Sequence, residues 1–235
     1  MPQNRYFIDE NIKINSTYLL ENNELHYLKN VMRNTEDDEI EIINGNGILA
    51  KAKILKISKN SAEIKIYSLN ENRKRKTKSV LVQSILKPQN MDYILEKNTE
   101  LGIDEFWVFF SKNSEKVNIS QNRIFRMNQI LISAVKQSGR LFLPEIKIFE
   151  NISKLPEFKN GYLCSLDSKK IDKIESSEDI FIIVGPEKGF LKEEEDFFIN
   201  KFKVKKIKLN QNVLRAETAS ICAGAILNYF LLEDR

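Results

Sequence analysis

A single histidine, His26, and two cysteines, Cys164 and Cys222, occur in 235 residues. There is no CxxC spacing and no Cys/His cluster, which argues against a structural zinc site. Each cysteine sits alone inside an apolar segment, as a buried reduced thiol does. A Ser-His-Asp triad would have to use His26, which lies in a stretch that reads as a small accessory domain. No apolar core follows "MPQNRYFIDE", and no run approaches the ~20 apolar residues that cross a bilayer. The longest runs, "FWVFF" and "IFIIV", have strand length. The expectation is a soluble, cytoplasmic protein with no metal and no membrane partner. A Walker loop is missing too, and "SVLVQSILKPQN", where a Rossmann-type turn would fall, contains no glycine.

Charge is what the chain has in quantity, in nearly balanced signs: 37 Lys and Arg against 33 Asp and Glu, a net of +4. The distribution is uneven. From Lys112 to Lys147 seven cations (Lys112, Lys116, Arg123, Arg126, Lys136, Arg140, Lys147) face two acids, and "RKRKTK" at 73–78 holds five cations in six residues. Either cluster alone fits a solvated face; the two together point to a polyanion, nucleic acid first.

Residues 1–70 alternate with period two in "EIEII", "ILAKAKILKI" and "AEIKIYSL", and "NGNG" at 44–47 separates two of these runs as a hairpin turn does. One helical piece, "NNELHYLKNVMR", interrupts them. This is the pattern of a small β-barrel-like domain. Residues 71–78 lack apolar side chains and read as a basic linker. From 79 to 235 strand and helix patterns alternate, the signature of an α/β domain with a largely parallel sheet. The segment "NMDYILEKNTELG" is helical, with Gly102 as its C-terminal cap. Ligands of such sheets bind at the carboxyl ends of the strands, which directs attention to the loops after 166, 184 and 209. The last of these leads into a helix that Thr218 is placed to cap. It also puts Arg215 and Glu217 between an apolar strand and a buried helix, where a cation needs a partner.

Two of those loops, "GPEKGFLKEE" and "LNQNVLRAETA", resemble the paired signature of the SPOUT methyltransferases, in particular the ribosomal RNA small subunit methyltransferase E family, which shows GPEGG-F-x-x-E and then L-G-x-x-I-L-R-x-E-T-A. The match continues in "RYF", "HYLKNVMR", "KPQNMDYILEKNTELGI" and "AVKQSGRLFLPEI", so it covers nearly the whole chain. The resemblance implies a trefoil-knotted SPOUT domain behind a PUA-like barrel, and a homodimer, in keeping with the small and then bulky apolar residues of the C-terminal helix. It implies methylation of uridine N3 in the decoding region of 16S rRNA in the small ribosomal subunit, with S-adenosyl-L-methionine as cofactor.

Carried onto this chain, the cofactor would be held by Leu166, Asp167, Val184, Gly185, Pro186, Glu187, Lys188, Gly189, Leu209, Asn210, Val213, Leu214, Thr218 and Ala219. Arg215 would stabilise the uridine anion. Glu217 would act as base, or pair with Arg215 and hold the loop. RNA would meet Arg5, Arg33, Lys87, Arg123, Arg126, Lys136, Gln137 and Arg140. Two positions depart from the family pattern. Lys188 replaces a glycine and would strain the loop if its φ had to be positive; Asn210 stands where glycine is usual. A non-catalytic RNA-binding or ribosome-assembly factor of the same fold, and a SPOUT enzyme acting on another RNA, are the alternatives.

Overall fold

Period-two patterning builds the first body of the protein, in a computed structural model that describes residues 4–115, 117–170, 174 and 177–232; Lys116 lies outside the described residues. Five strands, β1 (Arg5–Phe7), β2 (Thr17–Leu20), β3 (Glu39–Ile43), β4 (Ile48–Ile57) and β5 (Ala62–Glu71), form one sheet in the order β1-β3-β4-β5-β2. The β1–β3 pair is parallel and the other three are antiparallel. Along β4 the alternation places Ala50, Ala52 and Ile54 in the core and leaves Lys51 and Lys53 outside. The turn between β3 and β4 is closed by the Asn44 side chain, which accepts from the Asn46 and Ile48 amides at 2.9 and 3.2 Å. The helical piece is a short α1 (Asn22–His26) that widens into a π-helical turn over Tyr27–Met32.

By its contacts this unit comprises residues 1–74 together with 132–143. The later segment is tied in by backbone bonds, Gly47 N to Leu141 O at 3.0 Å and Leu143 N to Gly45 O at 2.8 Å.

The second unit, 75–131 and 144–235, holds a six-stranded sheet. Its strands are β6 (Ser79–Ser84), β7 (Glu105–Phe109), β8 (Glu145–Phe149), β9 (Gly161–Cys164), β10 (Ile180–Val184) and β11 (Lys205–Ile207), ordered β11-β9-β10-β6-β7-β8. Every pairing is parallel, as the strand–helix alternation predicts. Helices α2 (Pro88–Glu100), α4 (Lys192–Phe202), α5 (Ala216–Leu232) and residues 121–131 of α3 (Gln121–Ser138) complete the α/β pattern. β6, β7 and β10 are buried along their whole length, which is why their apolar stretches VLV, FWVF and IFIIV run on without the alternation of the first sheet. Trp107, Phe109, Phe158, Phe181, Phe198 and Phe202 form an aromatic core on one side. Gly102, at φ 95°, follows the end of α2, the left-handed position that ends a helix cheaply only for glycine.

The amino ends of the central strands are pinned by charge. Arg75 meets Asp104 at 2.6 Å, and the buried Glu105 carboxylate accepts from Lys78, Lys147 and the Trp107 indole at 2.8, 2.7 and 2.9 Å. Two of the five cations of "RKRKTK" are therefore structural. Arg73, Lys74 and Lys76 remain exposed, without an ion pair among the described residues.

Candidate functional site

Parallel pairing brings the carboxyl ends of β9, β10 and β11 to one edge of the sheet, and the chain leaves all three strands there as loops. The loop after β9 and the start of the loop after β11 run together, with Ser165 N bonded to Ile207 O and Lys208 N to Lys169 O, both at 2.9 Å. Between the loops lies a cavity of about 390 Å³. Leu166 and Asp167 line it from the first loop, Val184 through Gly189 from the second, Leu209, Asn210, Val213 and Leu214 from the third, and Ala219 from α5. Thr218 does not line it. Cys164, Ser165, Phe190, Glu195, Asn212 and Ala216 do; Phe190, Asn212 and Ala216 lie inside the two motifs, and Glu195 directly follows the first. Glu195 reaches the wall from the first turn of α4. Burial, with the Cys222 thiol nearby, pushes the Cys164 thiol far above its ordinary pKa, so it presents no thiolate to the cavity.

The second loop is a tight turn held from behind. Gly189 N bonds Pro186 O at 2.9 Å, and Gly189 takes φ 73°. Lys188 is not among the residues of positive φ, and neither is Asn210. The strain expected of lysine at 188 does not arise, because the left-handed position of the turn falls on Gly189. Phe190 packs its ring 3.2 Å from where a Cβ on Gly185 would sit and stacks on Phe109 at 6.1 Å between centroids. The buried Glu194 carboxylate accepts from the amides of Leu191 and Lys112 at 3.1 and 2.9 Å, fixing the start of α4. The Asn113 side chain donates to Gly189 O at 3.1 Å.

Arg215 is exposed, just ahead of α5, and is not part of the cavity wall. The expectation of a cation wedged against the core is thus corrected: α5 begins at Ala216, so the preceding residue faces water. Thr218 lies inside the helix rather than at its cap, and the Arg215 carbonyl accepts the first helical bond, from Ala219 N at 2.8 Å. Glu217 is half-buried and is approached by the Asn90 amide at 3.4 Å. Among the described residues Arg215 and Glu217 do not pair with each other. Asn90, at the start of α2, was not singled out in the sequence; its place beside Glu217 depends on how α2 and α5 pack.

The basic residues divide into committed and available ones. Arg5 is 7% exposed and grips Glu41 through Nε at 2.9 Å and Nη2 at 2.6 Å. Lys136 contacts both oxygens of Glu24 at 2.8 and 2.9 Å, with Nζ 4.1 Å from the centre of the Tyr27 ring. Arg123 is 12% exposed, 2.6 Å from Asp92, and donates to Pro88 O at 2.9 Å. These three are structural cations in this conformation. Arg126 also meets Asp92, at 3.0 Å, but is 69% exposed, and Lys87 is 65% exposed with Glu115 at 3.7 Å. Arg33 is exposed and ends the π-helical turn at φ 56°. Gln137 is exposed and Arg140 half-buried, and neither lacks a partner. No group of three or more His, Cys, Asp or Glu side chains able to hold a metal occurs among the described residues.

The sequence matches an RNA methyltransferase domain over residues 73–228 and an RNA methyltransferase PUA domain over residues 20–67. It is 31% identical to the ribosomal RNA small subunit methyltransferase E of Buchnera aphidicola, across 93% of this chain and 90% of that protein. It is 30% identical to that of Rickettsia conorii, across 96% and 95%. Among solved structures, the ribosomal RNA small subunit methyltransferase E of Neisseria gonorrhoeae, crystallised with S-adenosyl methionine, superposes with a TM-score of 0.86 at 28% identity, covering 97% of each chain. A methyltransferase of Legionella pneumophila at 23% identity shares the fold with a TM-score of 0.87. With PUA and RNA methyltransferase domains in this order and relatives aligned nearly end to end, the chain belongs to the ribosomal RNA small subunit methyltransferase E family.

Proposed function

We propose that this protein methylates N3 of a uridine in the decoding region of 16S rRNA, with S-adenosyl-L-methionine as methyl donor. The observation that carries the reading is the cavity formed where three motif-bearing loops meet at the carboxyl edge of the parallel sheet. Its volume of about 390 Å³ is that of a small-molecule site. Its chemistry suits the cofactor: Leu166, Val184, Leu209, Val213 and Leu214 offer apolar surface to an adenosine, backbone groups of the turns offer hydrogen bonds, and the carboxylates of Asp167 and Glu187 suit a cationic ligand. Bound there, S-adenosylmethionine supplies an electrophilic methyl on a sulfonium.

The protein's own residues have a proton and a negative charge to manage. Uridine N3 carries a proton at neutral pH, and its loss spreads charge onto O2 and O4. Arg215, a permanent cation one residue ahead of α5, stabilises that charge. Its exposure means RNA must cover it before it acts at full strength, since an ion pair gains most where water is excluded. Glu217, held by Asn90, either takes the N3 proton or orients the loop. A glutamine at 217 keeps the hydrogen bond and removes the base, which separates the two roles. The target base leaves its stack to reach the site.

Residues 1–70, together with the 132–143 segment that packs on them, serve as the RNA-gripping domain, 71–78 as a basic linker and the rest of 79–235 as the catalytic domain; the expected boundary at 79 misses that later segment because its contacts are long-range. The working form is a cytoplasmic homodimer acting on the small ribosomal subunit. Mass mapping of 16S rRNA from cells lacking the gene is the direct test. A single uridine should lose one methyl at N3 and regain it with the wild-type chain but not with Arg215→Ala; an unchanged methylation map overturns the reading.

A further inference from the structure

Lys188 stands where the family pattern has glycine, and nothing in the mechanism above uses it. Its backbone is unstrained, its side chain is exposed, and it lines the cavity without a hydrogen bond or ion pair among the described residues. The charges around the cavity sort simply. Glu195 is neutralised by Lys206 at 2.7 Å. Asp167 and Glu187 have no partner among the described residues, and Lys188 is the one cation among the described lining residues. The wall therefore offers two uncommitted negative groups and one positive. S-adenosylmethionine carries the inverse set: a sulfonium, an ammonium and a single carboxylate.

We propose that Lys188 is a specificity residue that recognises the carboxylate of the cofactor's methionyl group. The inference rests on the reading of the cavity as the S-adenosylmethionine site. An exposed charge pair contributes modestly, so removing Lys188 weakens cofactor binding by about two- to fivefold, and the effect shrinks as salt screens it.

The test is calorimetry on the full chain, wild type against Lys188→Met, with S-adenosylmethionine and with its decarboxylated analogue, at low and high salt. The expected result is a two- to fivefold loss for S-adenosylmethionine in the variant, no loss for the analogue, and convergence of the two proteins at high salt. Equal losses for both ligands, or no loss for either, overturn the assignment. A wild type that binds neither ligand overturns the reading of the cavity itself, and this inference with it. Binding of a 16S rRNA fragment without cofactor is measured in parallel and should not change. A variant that loses RNA affinity while keeping its affinity for S-adenosylmethionine assigns Lys188 to an RNA phosphate and overturns the proposal.

Discussion

At the scale of the residue, Arg215 and Lys188 show what a motif does and does not convey. Arg215 is legible as a candidate from "NVLRAETA", but its setting is not: the segment reads as core-facing, whereas the helix starts one residue later and leaves the guanidinium in water. Arg215→Ala should lower turnover about a hundred- to a thousandfold, the scale of removing one well-placed stabiliser of developing charge. Cofactor affinity should hardly move, since Arg215 is not in the cavity wall. Single-turnover kinetics together with calorimetry check this; parallel losses in rate and binding would make Arg215 a support of the loop instead. The basic residues teach the same lesson. Arg5, Arg123 and Lys136 look like Arg126 and Lys87 in sequence, yet the first three are spent on Glu41, Asp92 and Glu24.

At the scale of the element, two interactions carry testable weight. The first is the charge pin at the amino ends of β6, β7 and β8. Burial by itself would push the Glu105 carboxyl up, but hydrogen bonds from Lys147, Lys78 and the Trp107 indole hold it down at about 2, against an ordinary 4.5. A carboxyl whose folded pKa is depressed contributes stability that is complete above its unfolded pKa and lost as pH falls towards the folded one. The window here is pH 4.5 down to about 2. Glu105→Gln should cost on the order of 2–3 kcal/mol near neutrality, and the gap in Tm between variant and wild type should close across that window. A gap independent of pH would show that the carboxylate is not what stabilises the strands.

The second interaction joins α2 and α5. Asn98 is fully buried, donates to Ile94 O at 3.1 Å, and turns its side-chain oxygen towards Gly224. A methyl at 224 would collide with that oxygen. Gly224→Ala should therefore destabilise by roughly 1–3 kcal/mol, despite alanine's better helix propensity, and a further Asn98→Ala should recover part of the loss. Denaturant unfolding of the single and double variants measures the coupling; strict additivity would show that the two side chains do not meet as described.

At the scale of the whole molecule, RNA affinity should depend on salt through the cations that no acid has claimed. Replacing Arg73, Lys74 or Lys76 should reduce the slope of log K against log salt by up to roughly 0.7–0.9 for each RNA phosphate that the protein then leaves unneutralised. Replacing Arg123 should instead cost stability, because it is paired inside its own unit. Filter binding across a salt series separates the two outcomes. The proposed homodimer is tested at the same scale. Tyr229 of α5 is 64% exposed within the largely apolar second half of that helix, so it is the residue to change if α5 lies at the proposed dimer interface. Sedimentation at micromolar concentration should give a dimer that Tyr229→Glu weakens. A wild-type monomer, or a dimer indifferent to the change, rules out this surface.

Element types are legible along the chain because hydrophobic periodicity is local: period two in the first seventy residues, then strand and helix in turn, with apolar stretches in β6, β7 and β10 where strands are buried on both faces. The sequence also carried the family, through motifs that keep their order along the chain. The rest follows from strand order and from packing between residues distant in sequence. Segments 164–167, 184–190 and 209–219 enclose one cavity because β9, β10 and β11 are neighbours in the sheet. The left-handed position of the turn falls on Gly189 and not on Lys188 because the Pro186–Gly189 bond sets where the chain reverses. Glu195 enters the wall through the placement of α4, and Asn90 reaches Glu217 through the packing of α2 on α5. Whether a lysine or arginine faces a carboxylate or open water depends on which distant acid the fold delivers to it, and no local pattern encodes that.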